Sequence, residues 1–406
     1  MKVLVLTADA NTLVYHRGDL LRAFAEQGCD VVTSAAEDYD HVRKYVHACG
    51  GRHVPIRMLR SRVNLLRDWI TWLDMFRLFR REAPDALFAY TIKSVVYGCV
   101  VARLARVPRV YALLPGLGFT FVKPETWKGT LLQWISKALH RFALRRADAI
   151  FMQNQDDLRL FRELRLLPKG VPVHVTAGSG VNLDEYAHAP LDGNLDIAAG
   201  RVRFVLVSRL LQSKGVGIFA EAARRVKARY PNAEFHLVGP FDPNPNRVDE
   251  AEVERWVADG TLIHHGMVRD VAALLKAMHV FVLPTWYREG VPHATLEALS
   301  VGRPIVTTDS VGARECVRGC TGAEAGENGF LIPTRDADAA VRAMEFFLEN
   351  PERIVSMGRA SRRLAEEVFD VRLVNQVILR AMGLAAAEAR PSRSIVPAPC
   401  PVVAGA

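Results

Sequence analysis

Two glutamates and two cations stand out in this sequence because each pair sits where a buried apolar run gives way to a helix. Glu289 and Glu297 lie eight positions apart in Pro284-Thr285-Trp286-Tyr287-Arg288-Glu289-Gly290-Val291-Pro292-His293-Ala294-Thr295-Leu296-Glu297-Ala298. Gly290 permits backbone conformations closed to other residues and Pro292 suits a first helical turn, whose free amides form a seat for an anion. A carboxylate beside a bound diphosphate is repelled by it, so the glutamates make sense as acceptors of hydrogen bonds from hydroxyls, which sugars supply. Alone, such a pair is more often solvated charge. The second loop, Ser208-Arg209-Leu210-Leu211-Gln212-Ser213-Lys214-Gly215, shifts that balance, because Arg209 and Lys214 stand at a matching strand end. Two cations there could meet a diphosphate and stabilise a departing nucleotide.

These loops need a scaffold that aligns strand ends. Short β-branched runs at 3–6, 30–33, 86–90, 109–113 and 149–152 alternate with amphipathic stretches, and a second series follows at 203–208, 234–238, 262–265, 280–283 and 304–307. The pattern predicts an α/β chain of two Rossmann-like, doubly wound domains. The expected division is a first domain over 1–180, a turn-rich connector over 181–200 and a second domain over 201–365. A helix over 366–383 would cross back to the first domain, and 384–406, rich in Ala and Pro, would form a disordered tail. Parallel sheets bind ligands outside the carboxyl ends of their strands, so the two domains are expected to face each other across a cleft.

With 53 Lys and Arg against 44 Asp and Glu, the chain carries +9 and should attract anions. Arginines interleave with apolar residues at helical spacing over 57–81, including Arg60, Arg62, Trp69, Leu73 and Phe76, and again over 127–146. Most of those apolar residues are expected on the domain's own sheet, with the arginines free to approach anionic lipid headgroups. No zinc module, RNA-binding signature or basic tail accompanies the charge, so no nucleic acid partner is expected. The six cysteines show no zinc spacing, and no metal site is expected. The scattered cysteines fit a reduced, cytosolic protein, and a short apolar start and the lack of an ~18-residue apolar run predict neither a signal peptide nor a bilayer-spanning segment. Thr7-Ala8-Asp9-Ala10-Asn11 after the first strand lacks the glycine fingerprint of a dehydrogenase.

The spacing Glu289-x7-Glu297 and the Arg209-x4-Lys214-Gly215 clamp resemble the retaining glycosyltransferases of the GT-B fold, group 4. The resemblance extends over 178–184, 302–309 and 326–333. It implies that Arg209 and Lys214 hold the donor diphosphate, Glu289 bonds the donor sugar and Glu297 bonds the ribose. It also implies that the backbone of Gly290, Val291 and Pro292 approaches the phosphates and sugar, and that the base lies near Met267 and Val268. In the amino-terminal half, 89–98 and Pro115-Gly116-Leu117-Gly118-Phe119 look like the subgroup acting on lipid-diphosphate oligosaccharides, the PglA-like transferases. Thr91, Lys93 and Gly116 would then lie on the acceptor side, although Thr91 and Lys93 could equally cap a helix or meet solvent. Departures from the family pattern include Tyr90, near which several members place histidine, Val311 before Gly312, and an insertion over 318–325.

The resemblance implies an enzyme that moves a sugar from a nucleotide diphosphate, with UDP expected, to a hydroxyl of a lipid-linked saccharide in surface-glycan assembly. It implies retention of anomeric configuration without a cofactor or divalent metal, in a cytoplasmic protein peripheral on the inner face of the cell membrane. The alternatives are an epimerase or hydrolase of the same fold, or a noncatalytic nucleotide-sugar-binding protein at a membrane surface.

Overall fold

The computed structural model describes residues 1–59, 65–116, 127–320 and 324–385, which form two compact units. Among the described residues the first comprises Met1–Ser179 together with 372–385, and the second comprises Gly180–Val371. Arg60, Arg62, Leu117, Gly118, Phe119 and the tail beyond 385 lie outside the described residues.

In the first unit a seven-stranded parallel sheet is built from β1 (Lys2–Leu6), β2 (Asp30–Ser34), β3 (Arg52–His53), β4 (Ala86–Tyr90), β5 (Arg109–Leu114), β6 (Ala149–Met152) and β7 (Val173–Val175). Their order is β3-β2-β1-β4-β5-β6-β7. The helices are α1 (Asn11–Tyr15), α2 (Gly18–Glu26), α3 (Asp40–Ala48), α4 (Leu65–Glu82), α5 (Ile92–Leu104), α6 (Trp127–Leu144) and α7 (Gln155–Glu163). Side chains alternate between the faces of a strand, so Leu4, Leu6, Leu87 and Ala89 pack with α4, α5 and α6, through residues such as Phe79, Val95 and Leu144. Val3, Val5, Phe88 and Tyr90 face α2 and α3 instead, through Leu21, Phe24 and Val46. Burial on both faces explains why these strands read as continuous apolar runs.

The second unit holds a six-stranded parallel sheet of β8 (Arg203–Val207), β9 (Glu234–Val238), β10 (Ile263–His264), β11 (Val280–Leu283), β12 (Ile305–Thr308) and β13 (Gly329–Ile332). The order β10-β9-β8-β11-β12-β13 reverses direction between β8 and β11. Its helices are α8 (Leu195–Ala198), α9 (Val216–Arg229), α10 (Glu250–Ala258), α11 (Val271–Ala277), α12 (His293–Val301), α13 (Ala337–Glu349) and α14 (Pro351–Leu364). Residues 181–200, read from the sequence as a connector, group with this unit. Val181 bridges to Asp370, and the Ala189 carbonyl accepts from the buried Arg303 guanidinium at 2.7 Å. The last helix, α15 (Val371–Ala381), places Ile378 and Leu379 in the core of the first unit.

Cys29, Cys49, Cys99, Cys316 and Cys320 are free and buried, and burial pushes the Cys99 thiol up to about 12. Among the described residues no helix is long and apolar enough to cross a membrane.

Candidate functional site

The loops after β8 and β11 leave adjacent strands at the reversal of strand order, where open α/β sheets form their ligand crevice. They are laced together by one carbonyl. Ser213 O accepts from Trp286 N at 2.9 Å, Tyr287 N at 3.1 Å and Thr285 Oγ1 at 3.1 Å. Gly215 makes this approach feasible: its φ is +81°, and a β-carbon there would sit 2.1 Å from Pro284 O. A third loop braces the second, because Thr308 Oγ1 and Ser310 Oγ both donate to Thr285 O. Gly312, at φ +80°, lets the backbone pass so close to Gly290 that an added β-carbon would stand 1.7 Å from Gly290 O.

That lacing sets the Lys214 ammonium 2.5 Å from Glu289 Oε1 and 5.4 Å from the centre of the Tyr287 ring. Lys214 is only 8% exposed, so this is a largely desolvated pair whose members need each other. Arg209 stands differently. It is about half exposed and pairs with Asp242 at 2.8 Å, beyond the end of β9. Burial raises the Tyr287 hydroxyl above its ordinary range, with Arg209 opposing and Glu289 and Asp242 reinforcing, so the phenol feels all three charges.

Gly290, Val291 and Pro292 are buried and lead into α12, whose N-cap is Pro292. The N-cap side chain makes no hydrogen bond to that end, and the positive end of a helix favours an anion. Glu297 lies one turn inside α12 and is buried, and Tyr186 donates to its Oε1 at 2.8 Å while His293 Nε2 lies 3.4 Å away. Burial raises this carboxyl to about 7, partly offset by the bond from Tyr186. Met267 is strongly exposed and Val268 half-buried in the loop following β10, where Gly239 N donates to Gly266 O at 2.8 Å. Tyr186, Tyr287, Asp242 and Ser213 were not singled out from the sequence, since only the fold brings them to these strand ends.

In the first unit, Thr91 and Lys93 follow β4 at the corresponding reversal, between β1 and β4. Thr91 has φ +72°, uncommon for a side-chain-bearing residue, and its hydroxyl accepts from Ala8 N at 3.1 Å rather than capping α5. Lys93 bonds buried Asp68 at 2.8 Å, so it is an ion-paired residue of the α4–α5 interface and not a solvated cation. Gly116, half-buried with φ +136°, follows β5.

Residues 13–177 match the family model of a glycosyl transferase 4-like domain, and residues 201–350 match that of glycosyl transferases group 1. With two parallel-sheet units and both matches in this order, the chain belongs to the GT-B-fold glycosyltransferases of this group. It is 24% identical over 382 residues to the N,N'-diacetylbacillosaminyl-diphospho-undecaprenol alpha-1,3-N-acetylgalactosaminyltransferase of Campylobacter jejuni, covering 92% of this chain and 96% of that one. It is 28% identical over 289 residues to the UDP-Gal:alpha-D-GlcNAc-diphosphoundecaprenol alpha-1,3-galactosyltransferase of Escherichia coli, covering 70% and 71%. The fold is similar to that of Anabaena HepE, solved in complex with UDP and glucose, with a TM-score of 0.73 at 18% identity over 94% of this chain and 99% of that one.

Proposed function

We propose that this glycosyltransferase moves a hexosyl group from a UDP-sugar to a hydroxyl of an undecaprenyl-diphosphate-linked saccharide, with retention of configuration, in cell-surface polysaccharide assembly. The observation that carries the donor half is the Lys214–Glu289 contact at the strand-order reversal, on the loop that leads into the N-terminus of α12. As the glycosidic bond loosens, negative charge grows on the diphosphate. Lys214, Arg209 and the backbone amides of Gly290 and Val291, with those of the first turn of α12, stabilise it, with no divalent metal in that step. Arg209 leaves Asp242 to do so, an exchange of one anionic partner for another. Glu289, already oriented by Lys214, accepts from the donor sugar hydroxyls, and Glu297 accepts from the ribose, with the base over Met267 and Val268. Attack proceeds on the face from which the nucleotide departs, and a phosphate oxygen takes the acceptor proton.

The acceptor half draws on the two relatives, whose names specify undecaprenyl-diphosphate-linked saccharides. Thr91, Lys93 and Gly116 are assigned to the acceptor side. The layer of α4, α5 and α6 is assigned to the cytoplasmic face of the membrane. Trp69 on α4 and Trp127, Leu132 and Trp134 on α6 are each more than 60% exposed. Arg77, Arg80 and Arg81 on α4, and Arg141 and Arg145 at the end of α6, are exposed beside them. Apolar residues flanked by cations suit an anionic lipid surface, with about 1 kcal/mol from each arginine near the leaflet.

The test is a transfer assay with UDP-sugars and an undecaprenyl-diphosphate-linked saccharide, with NMR of the new anomeric centre. Lys214→Ala is expected to lower turnover on the order of a hundredfold in a folded protein. Near-normal transfer by that variant, or an inverted product, would contradict the reading.

A further inference from the structure

Arg17 is the one large cation of the first unit, among the described residues, whose burial the fold leaves unexplained. It is 2% exposed, and its Nε and Nη1 atoms are buried without a hydrogen-bond partner. Its aromatic neighbour is Tyr90, with the guanidinium carbon 5.7 Å from the ring centre. A cation–π contact returns less than removing an ion from water costs. Glu37 Oε2 accepts from Ala10 N at 3.0 Å and Asp9 Oδ1 from Asn11 N at 3.1 Å, and neither carboxylate bonds Arg17 Nε or Nη1. Arg17 is also the N-cap residue of the nine-residue helix α2, whose amide end is itself partly positive. Burial lowers its pKa to about 10, so the group is still charged at neutral pH. A charge held at a positive helix end without a counterion is a poor structural choice and a good anion trap.

Its position supports that use. Tyr90 ends β4, directly before Thr91, and its hydroxyl lies 2.9 Å from Thr12 Oγ1 in α1, so the ring that Arg17 approaches belongs to the strand end at the β1/β4 reversal. We propose that Arg17 binds a phosphoryl oxyanion of a diphosphate ester at the carboxyl edge of the first sheet. The ester is either the nucleotide diphosphate or a prenyl diphosphate, which share this chemistry. The side chain reaches it past α1, a five-residue helix short enough to yield locally.

Calorimetric titration of the full chain with UDP and, separately, with farnesyl diphosphate in detergent tests this assignment. In Arg17→Gln, affinity for one of the two probes is expected to fall tenfold or more while the other holds, which identifies the source. Arg17→Lys, which keeps the charge and loses the planar fork, should lose several-fold for the same probe, and it decides the matter if Arg17→Gln does not fold. Arg17→Met should melt no lower than the parent without ligand, since an unpaired buried charge has been removed. Both probes binding Arg17→Lys and any folded neutral variant within twofold of the parent, or Arg17→Met melting well below it with affinities unchanged, would overturn the proposal.

Discussion

Glu297 holds its carboxyl at about 7 against an ordinary 4.5, because burial on α12 penalises the charged form more than the Tyr186 hydroxyl rewards it. Its folded-state pKa is raised, so this group's contribution to stability is fully present below 4.5 and is lost as pH rises through about 7. Nucleotide binding should run the other way, since a ribose hydroxyl donates best to the ionised form. UDP affinity measured from pH 6 to 8 is therefore expected to rise with pH in the parent and to flatten in Glu297→Gln. Tyr186→Phe removes the one bond that favours the carboxylate, so the midpoint of that profile should move upward. A profile unchanged by Tyr186→Phe would remove Tyr186 from this role. Glu297 was visible in the sequence by its spacing from Glu289. Tyr186 was not, because the two partners are 111 positions apart and no local pattern links them.

At the scale of elements, the site depends on how closely two loops approach. Gly215→Ala would drive a methyl group into Pro284 O at a backbone angle that disfavours it, so a loss of about 1–3 kcal/mol in melting experiments is expected, with weaker UDP binding. An equally stable Gly215→Ala would show that the loops have slack. On the first unit, α4 and α6 turn Phe79 and Leu144 inward and leave Trp69 and Trp134 outside. The sequence predicted these helices, and it led us to expect most of their apolar residues on the sheet. Helical spacing does not say how wide the covered stripe is. Trp134→Glu should reduce sedimentation with vesicles rich in phosphatidylglycerol while leaving the melting temperature unchanged, and undiminished sedimentation would detach α6 from the membrane. Elements missed from the sequence are mostly edge strands. β3 has two residues and β7 three, too few to display a period, and β13 follows a glycine-rich turn that masks its start.

For the whole molecule, the two series of alternating strands and helices were legible because parallel strands buried on both faces read as continuous apolar runs. The grouping of residues 181–200 with the second unit was not, since it rests on distant partners such as Asp370 and Arg303. Paired cations at one strand end and paired glutamates at the next were the readable part of the donor site, and the fold joins Lys214 to Glu289 while Arg209 rests on Asp242. The most direct test of the central claim, that Lys214 serves the diphosphate and Glu297 the ribose, is calorimetric titration of UDP and of uridine into the parent, Lys214→Ala and Glu297→Gln. Lys214→Ala is predicted to weaken UDP by about tenfold to a hundredfold and leave uridine unchanged, whereas Glu297→Gln weakens both. UDP binding undiminished in a folded Lys214→Ala would contradict the account.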